Sequence, residues 1–317
     1  MISVVIPVFD RRDYYSHALN SLNDQTISNK DFEAIIVSNI PVEVPNLNFN
    51  CKLVLTDDQT LAGKLIIGIE KSEGEIISFL EDDDIFADRK LYEVKYAFNS
   101  QIVFYRNQII KFHGKEYAVK FNGKSSESEP VINLFKPSSV KEVFNKMRLG
   151  INFNLSSISI RKSFALSIRE SMAMLTVGYI DSFLFYSAII KNKMIGYCSY
   201  GPPSTLVRVH MENSRNYFSS KLDFTEATFL HKAILSLVDK DNSSPSTNFI
   251  LRMIHMDEMD ESIKVRRPSR WVVLTEFLDL ISDKYTFLLR RDLVLKSILY
   301  LISPRLMDLL LAAFRKI

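Results

Sequence analysis

Cysteine is scarce. Cys51 and Cys198 are the only two in 317 residues, far apart, and form neither a CxxC pair nor a zinc-type spacing. A reducing compartment is therefore expected. No apolar run reaches the ~20 residues that span a bilayer. The chain opens directly on a strand pattern, with no basic region or cleavage site, so no signal peptide is expected. Net charge is only +3, and no basic stripe with interleaved aromatics occurs, which argues against a nucleic-acid partner. GxxxxGK(S/T), HExxH and GxSxG are all absent, which removes the P-loop, zinc-protease and serine-hydrolase site motifs. Internal repeats and long low-complexity tracts are missing too. What is present, 47% hydrophobic and 24% charged residues, suffices for one substantial core or two modest ones.

Strand-period and helix-period segments alternate through the first hundred residues. Ile2, Val4, Val5 and Ile6, closed by Pro7, predict a buried strand. A polar turn at 9–13 follows, and Tyr15, Ala18, Leu19 and Leu22 then recur at helical spacing. Residues 33–38 and 52–55 predict two more strands, and Leu61, Leu65 and Ile69 a second helix. That alternation argues for a parallel sheet with helices on both faces. After the helix of Leu91, Val94 and Phe98, short strands are expected at 101–105, 108–112 and 117–121, with a loop at 122–130. A helix over 140–147, a strand at 156–160, an apolar helix over 179–191 and a strand at 205–210 come next. Residues 242–246 read as a linker, and everything beyond as helix.

The densest chemical signal is residues 74–86, where an apolar strand pattern runs into Glu81, Asp82, Asp83 and Asp84 before Ile85 and Phe86. At ~4 Å and an effective dielectric of about 20, each like-charged pair costs on the order of several kcal/mol. A divalent cation with oxygen ligands turns that liability into a site. The carboxyl edge of a parallel sheet is also where open α/β folds bind ligands. Helix capping by Asp84 or Asp88 is the alternative, and it accounts for one or two acids rather than four.

Three segments carry a resemblance: residues 2–11 (ISVVIPVFDR), residues 74–84 (GEIISFLEDDD) and residues 208–214 (RVHMENS). In this order they resemble family 2 glycosyltransferases, over roughly the first two-thirds of the chain. The resemblance implies a GT-A fold: α/β, a Rossmann-like, mostly parallel sheet flanked by helices, here with a C-terminal helical extension. It implies a domain over 1–215, with 1–100 binding a nucleotide-sugar and 101–215 an acceptor, and an extension over 216–317. Carried over by position, Asp83 is the expected metal ligand for Mn²⁺ or Mg²⁺, with Glu81 and His210 beside it, and Asp84 supports the cluster. Asp82 is expected at the ribose, and Pro7, Phe9, Arg11, Asn39, Lys64 and Arg208 around the donor. Asp181 stands where the family has its general base, the alternative being a carboxylate at a helix N-terminus. The implied reaction moves a sugar, with inversion, from a nucleotide-sugar (UDP-sugar favoured) to the hydroxyl of a saccharide or lipid-linked acceptor. The setting would be glycan, lipid-linked oligosaccharide or glycoprotein synthesis, in the cytoplasm or at the cytoplasmic face of a membrane.

Three departures stand against the pattern: Ser38-Asn39 where the family has Asp, Ile66 where Asn is common, and Glu81 in place of the leading Asp. They keep open a non-catalytic binding or scaffold protein of the same fold. A sugar nucleotidyltransferase is the other rival, although residues 9–12 lack the glycine-rich loop it needs. In the tail, Leu306, Leu309, Leu310, Ala313 and Phe314 share one helical face. Leu288, Leu295, Leu299 and Ile302 form a similar stripe upstream, with a basic excess from Arg290, Arg291, Lys296, Arg305, Arg315 and Lys316. Such helices lie at a membrane interface, pack on the catalytic domain or pair two subunits.

Overall fold

The computed structural model describes residues 1–9, 12–113, 129–176, 178–209, 226–239, 244–265 and 268–303. The strand expected at 117–121, Arg11, His210 and the stripe from Leu306 onward lie outside them.

Strand β1 (Ile2–Val8) is buried along its whole length, as a run of apolar residues in a sheet covered on both sides must be. It pairs in parallel with β2 (Phe32–Ser38) on one side and β4 (Ile76–Phe79) on the other, and β3 (Asn50–Leu55) adds in parallel beyond β2. The side chains of β1 divide as a period of two requires. Val5 faces α2 (Leu61–Lys71), while Val4 and Ile6 face α1 (Arg12–Asn23) and α3 (Lys90–Ala97). Helix α2 lies very close to the sheet at Gly68, where a Cβ would stand 2.3 Å from a methyl of Val5.

Strand β9 (Ile158–Arg161) runs antiparallel to both β4 and β6 (Phe104–Arg106). Strand β10 (Ile195–Tyr200) is parallel to β6 and antiparallel to the edge strand β8 (Val131–Phe135). The eight-stranded order is β3-β2-β1-β4-β9-β6-β10-β8. A second sheet has the order β5-β11-β7, from Ile85–Phe86, Thr205–Val209 and Ile109–His113. The strand expected at 156–160 begins later. Residues Leu155–Ser157 form a 3-10 turn, because Asn154 Oδ1 accepts from Ser157 N and the Ser157 hydroxyl donates to the Asn154 carbonyl. Strands β8 and β5 have no counterpart in the sequence reading.

Helices α4 (Val140–Arg148), α5 (Lys162–Ser167), α6 (Arg169–Met172) and α7 (Ile180–Ile190) cover the Val5 side of the sheet. Helix α8 (Glu226–Leu235) and the first half of α9 (Pro245–Val265) pack into that same core through Leu230, Ile234, Ile250 and Ile254. The expected linker ends before residue 246, since Ser244 Oγ accepts from Thr247 N and Pro245 opens α9, a position where its missing N–H costs nothing. The second half of α9 joins α10 (Arg270–Ser282), α11 (Lys284–Leu289) and α12 (Arg291–Ile302). Their own small core holds Met256, Met259, Ile263, Val273, Leu280, Leu293 and Tyr300.

Candidate active site

Parallel pairing of β1, β2 and β4 brings their carboxyl ends to one edge, with Pro7 beside Val37 and Val5 beside Phe79. Asn39 and Phe9 follow directly, and Lys64 reaches them from α2. Lys64, expected around the donor, lies in the first turns of a helix capped by Thr60, and it is fully buried. Its Nζ donates to the Val8 carbonyl and to Asn39 Oδ1, each at 2.7 Å, and sits 3.5 Å from the centre of the Phe9 ring. One cation thus ties together three chain segments. With Oδ1 held by Lys64, the Asn39 amide offers its N–H donors, where a carboxylate would offer only acceptors.

The four acids form a tight turn in which Asp84 N donates to the Glu81 carbonyl. Asp82 is fully buried, and its Oδ2 accepts from Phe9 N at 2.8 Å, joining the turn to the end of β1. Asp84 is buried as well. It does not cap α3, whose first residue Lys90 follows an Arg89 with no side-chain cap. Instead Asp84 accepts from Arg208 N at 2.9 Å and Asn154 Nδ2 at 3.2 Å. Burial first, and the neighbouring charge of Asp83 second, push its carboxyl well above the ordinary carboxylate range.

Arg208 is nearly inaccessible. Its guanidinium lies between the rings of Tyr14 and Phe112, 4.5 Å from each centre, and Nε donates to the Asp83 carbonyl at 2.9 Å. A second nitrogen lies 3.3 Å from Nδ1 of His17. Arg208 therefore fixes the path of the acidic turn by gripping its backbone.

Asp181 sits in the first turn of α7, where its Oδ1 accepts from Ser182 N at 2.8 Å. Its Oδ2 accepts from Asn154 N at 2.9 Å. Asn154 is therefore the link between Asp181 and Asp84. Its backbone is at φ 70°, a left-handed conformation uncommon outside glycine, and Tyr179, just before α7, is at φ 62°. Two such residues beside the acids mark a locally strained corner.

Behind the turn lies Lys90, fully buried. Its ammonium bonds Asn107 and faces the carbonyls of Ser156 and Ser157, both at 3.4 Å. Burial pushes it down to about 7. The Ser156 hydroxyl accepts from Glu81 N at 3.0 Å, so this polar layer supports the acidic turn from below. Asn154, Ser156, Lys90 and Tyr14 were missed in the sequence, where each is a lone residue with no motif around it.

Among the described residues, no three His, Cys, Asp or Glu side chains converge as a ready-made metal cage. Oxygen-rich sites for Mg²⁺ and Mn²⁺ take one or two carboxylates and complete their shell with substrate phosphates and water. A turn of hard carboxylate oxygens in which one acid raises another's pKa suits such an ion.

Residues 3–148 match the family model described as glycosyl transferase family 2. Over 134 residues the chain is 30% identical to an uncharacterized glycosyltransferase of Rickettsia bellii, covering 40% of this chain and only 18% of that relative. Among solved structures, S. aureus TarS 1–349 in complex with UDP-GlcNAc superposes with a TM-score of 0.56 at 14% identity, over 82% of this chain and 72% of that one. The mannosyltransferase PcManGT from Pyrobaculum calidifontis, in complex with GDP-Man and Mn²⁺, gives 0.51 at 13% identity, over 97% and 86%. The fold is that of the GT-A glycosyltransferases.

Proposed function

We propose that the chain, whose residues 3–148 match the model described as glycosyl transferase family 2, transfers a sugar from a nucleotide-sugar to an acceptor hydroxyl, inverting the anomeric centre. The observation that carries this reading is the Asn154 bridge. It ties Asp181, from a helix nearly a hundred residues away, to the acidic turn at the carboxyl edge of the sheet. A base at Asp181 and an acid turn for a diphosphate are the two halves such a displacement requires.

In this mechanism Pro7, Phe9 and Asn39 receive the nucleoside, with Asn39 donating to a carbonyl of the base. Lys64 holds Asn39 in place, and Asp82 meets the ribose. Asp83 would hold Mn²⁺ or Mg²⁺, aided by Glu81 and His210. When bound, the ion neutralises charge developing on the departing diphosphate. Arg208 keeps the acidic turn in register, and Arg11 completes the donor side. Asp181 accepts the proton of the attacking hydroxyl. Two backbone N–H groups, of Asn154 and Ser182, donate to its carboxylate and hold its orientation.

Residues 1–100 and 101–215 serve as donor and acceptor sides, with 216–317 as a C-terminal extension. The acceptor is a saccharide or lipid-linked glycan on the cytoplasmic side of a membrane. Calorimetric titration with UDP- and GDP-sugars, with and without Mn²⁺, tests the proposal. Metal-dependent binding of one donor, followed by its transfer or slow hydrolysis, is the expected result. Failure of every donor to bind in the presence of metal would overturn it.

A further inference from the structure

The sequence suggests that Arg290 and Lys296 lend α12 a basic face. In the fold both are engaged within the helical extension. Arg290 pairs with Asp257 at 2.6 Å, and Lys296 with Asp260 at 2.7 Å and Asp292 at 3.1 Å. The acids of these helices are engaged in the same way. Glu276 binds His255, Asp279 binds Arg252, and Asp283 accepts from Thr286 N. Left at the surface are the exposed cations Arg270, Lys284 and Arg291.

Apolar side chains lie among them. On α10, Trp271, Leu278 and Ile281 recur at helical spacing and are 72, 53 and 43% exposed. On α12, Leu295, Ile298 and Ile302 follow Arg291 by 4, 7 and 11 residues and are 50, 39 and 64% exposed. The two helices pack side by side, with Val273, Leu280, Leu293 and Tyr300 turned inward. Single exposed apolar residues are ordinary, but paired stripes on neighbouring helices are not. Charge selects the occupant. Among the described residues of α10, α11 and α12, the charged residues classed as exposed are Arg270, Lys284 and Arg291 against Asp292 alone, and Asp292 is paired with Lys296. Two copies of a basic face repel, whereas an anionic surface attracts it.

We propose that the α10–α12 face moors the protein on an anionic lipid bilayer. Trp271 sits at the headgroup level and the leucines and isoleucines at the acyl boundary, with Arg270, Lys284 and Arg291 toward headgroup phosphates. Among the described residues no helix is long and apolar enough to cross a membrane. The proposal stands whichever sugar is transferred.

Flotation of the full chain with vesicles of phosphatidylcholine and phosphatidylglycerol, against phosphatidylcholine alone, tests it. Anionic vesicles should carry the protein at low salt, with roughly tenfold weaker binding on neutral vesicles or at high salt. The double variants Trp271→Glu with Leu278→Glu, and Leu295→Glu with Ile298→Glu, should each lose roughly tenfold or more in partitioning. Their circular dichroism and melting temperature serve as the control for folding. Absence of flotation, equal binding to neutral vesicles, or folded variants that float like the parent would each overturn the proposal. So would vesicle-independent dimerisation abolished by the same variants, which would identify a second copy as the occupant.

Discussion

Two polar assemblies hold this chain together, and they are built in opposite ways. Around the acidic turn the members are buried and drawn from distant elements. Phe9 meets Asp82, Asn154 meets Asp84, and Arg208 meets both Asp83 and Asp84. In the helical extension the pairs join neighbouring helices and differ in exposure: His255, held between Glu258 and Glu276, is 43% exposed, while Arg290–Asp257 and Lys296–Asp260 are largely buried. Breaking a buried pair strands a desolvated charge, whereas an exposed pair contributes little. The first assembly, which surrounds the proposed site, is thus unforgiving throughout, and the second is tolerant only at its exposed pairs, such as those of His255 and Arg252.

The strongest test of that contrast is Asp83→Asn. It should abolish metal-dependent donor binding and turnover while leaving the protein folded, because the charge it removes is one that raises Asp84. Calorimetry and thermal melting together read both effects. An active Asp83→Asn enzyme would end the metal role.

Asp181→Asn should separate chemistry from binding. Turnover is expected to fall by roughly two to four orders of magnitude with donor affinity nearly unchanged. If affinity collapses with turnover, Asp181 supports the donor instead of acting as base.

Asn154 sharpens the comparison further, since it touches both acids without being either. Asn154→Ala should lower turnover by roughly ten- to hundredfold, the usual cost of losing a residue that orients a functional group. Asn154→Gly removes the same side chain but relieves the φ 70° backbone, so it should melt higher than the alanine variant at a similar loss of turnover. Equal melting of the two would mean that the strain is not real.

The first assembly was half legible in the sequence, and the half that was missed has a physical reason. Asp82 and Asp83 were visible as part of a run of four acids at the end of an apolar strand pattern, whereas Phe9 and Asn39 were found only through the family resemblance. Asn154 and Ser156 acquire their roles only because β9 runs antiparallel to β4, which sets the turn before it beside Glu81. No local pattern carries that information. Lys64 was found, but its bonds to the Val8 carbonyl and Asn39 were not foreseen, since a lysine's hydrogen-bond partners depend on tertiary packing. Likewise, the basic excess of α12 was read from composition, yet ion pairing with Asp257 and Asp260 neutralises much of it. The two-residue strand β5 and the edge strand β8 are too short or too exposed to give a periodic signal.

The smallest expected effect is a pair of opposite pH slopes, one from each assembly. Lys90 is pushed down to about 7 by burial, against 10.5 when unfolded. Between those values the unfolded chain binds more protons, so its contribution to stability rises with pH. His255 is raised to about 9, first by its hydrogen bond to Glu258 and then by Glu276, against 6.5 unfolded. Its contribution is fully present below pH 6.5 and is lost as pH rises through 9. Because His255 is partly exposed, solvent screening holds its share to about 1 kcal/mol or less, a shift of roughly 2–4 °C in melting. Hydrogen exchange separates the two regions. Between pH 7 and 9, after correction for the intrinsic rate, protection should increase in α3 and β11 and decrease in α10. His255→Gln should flatten only the α10 trend, and Lys90→Met only the other. A common slope in both regions would show that one cooperative unit, not two assemblies, responds to pH.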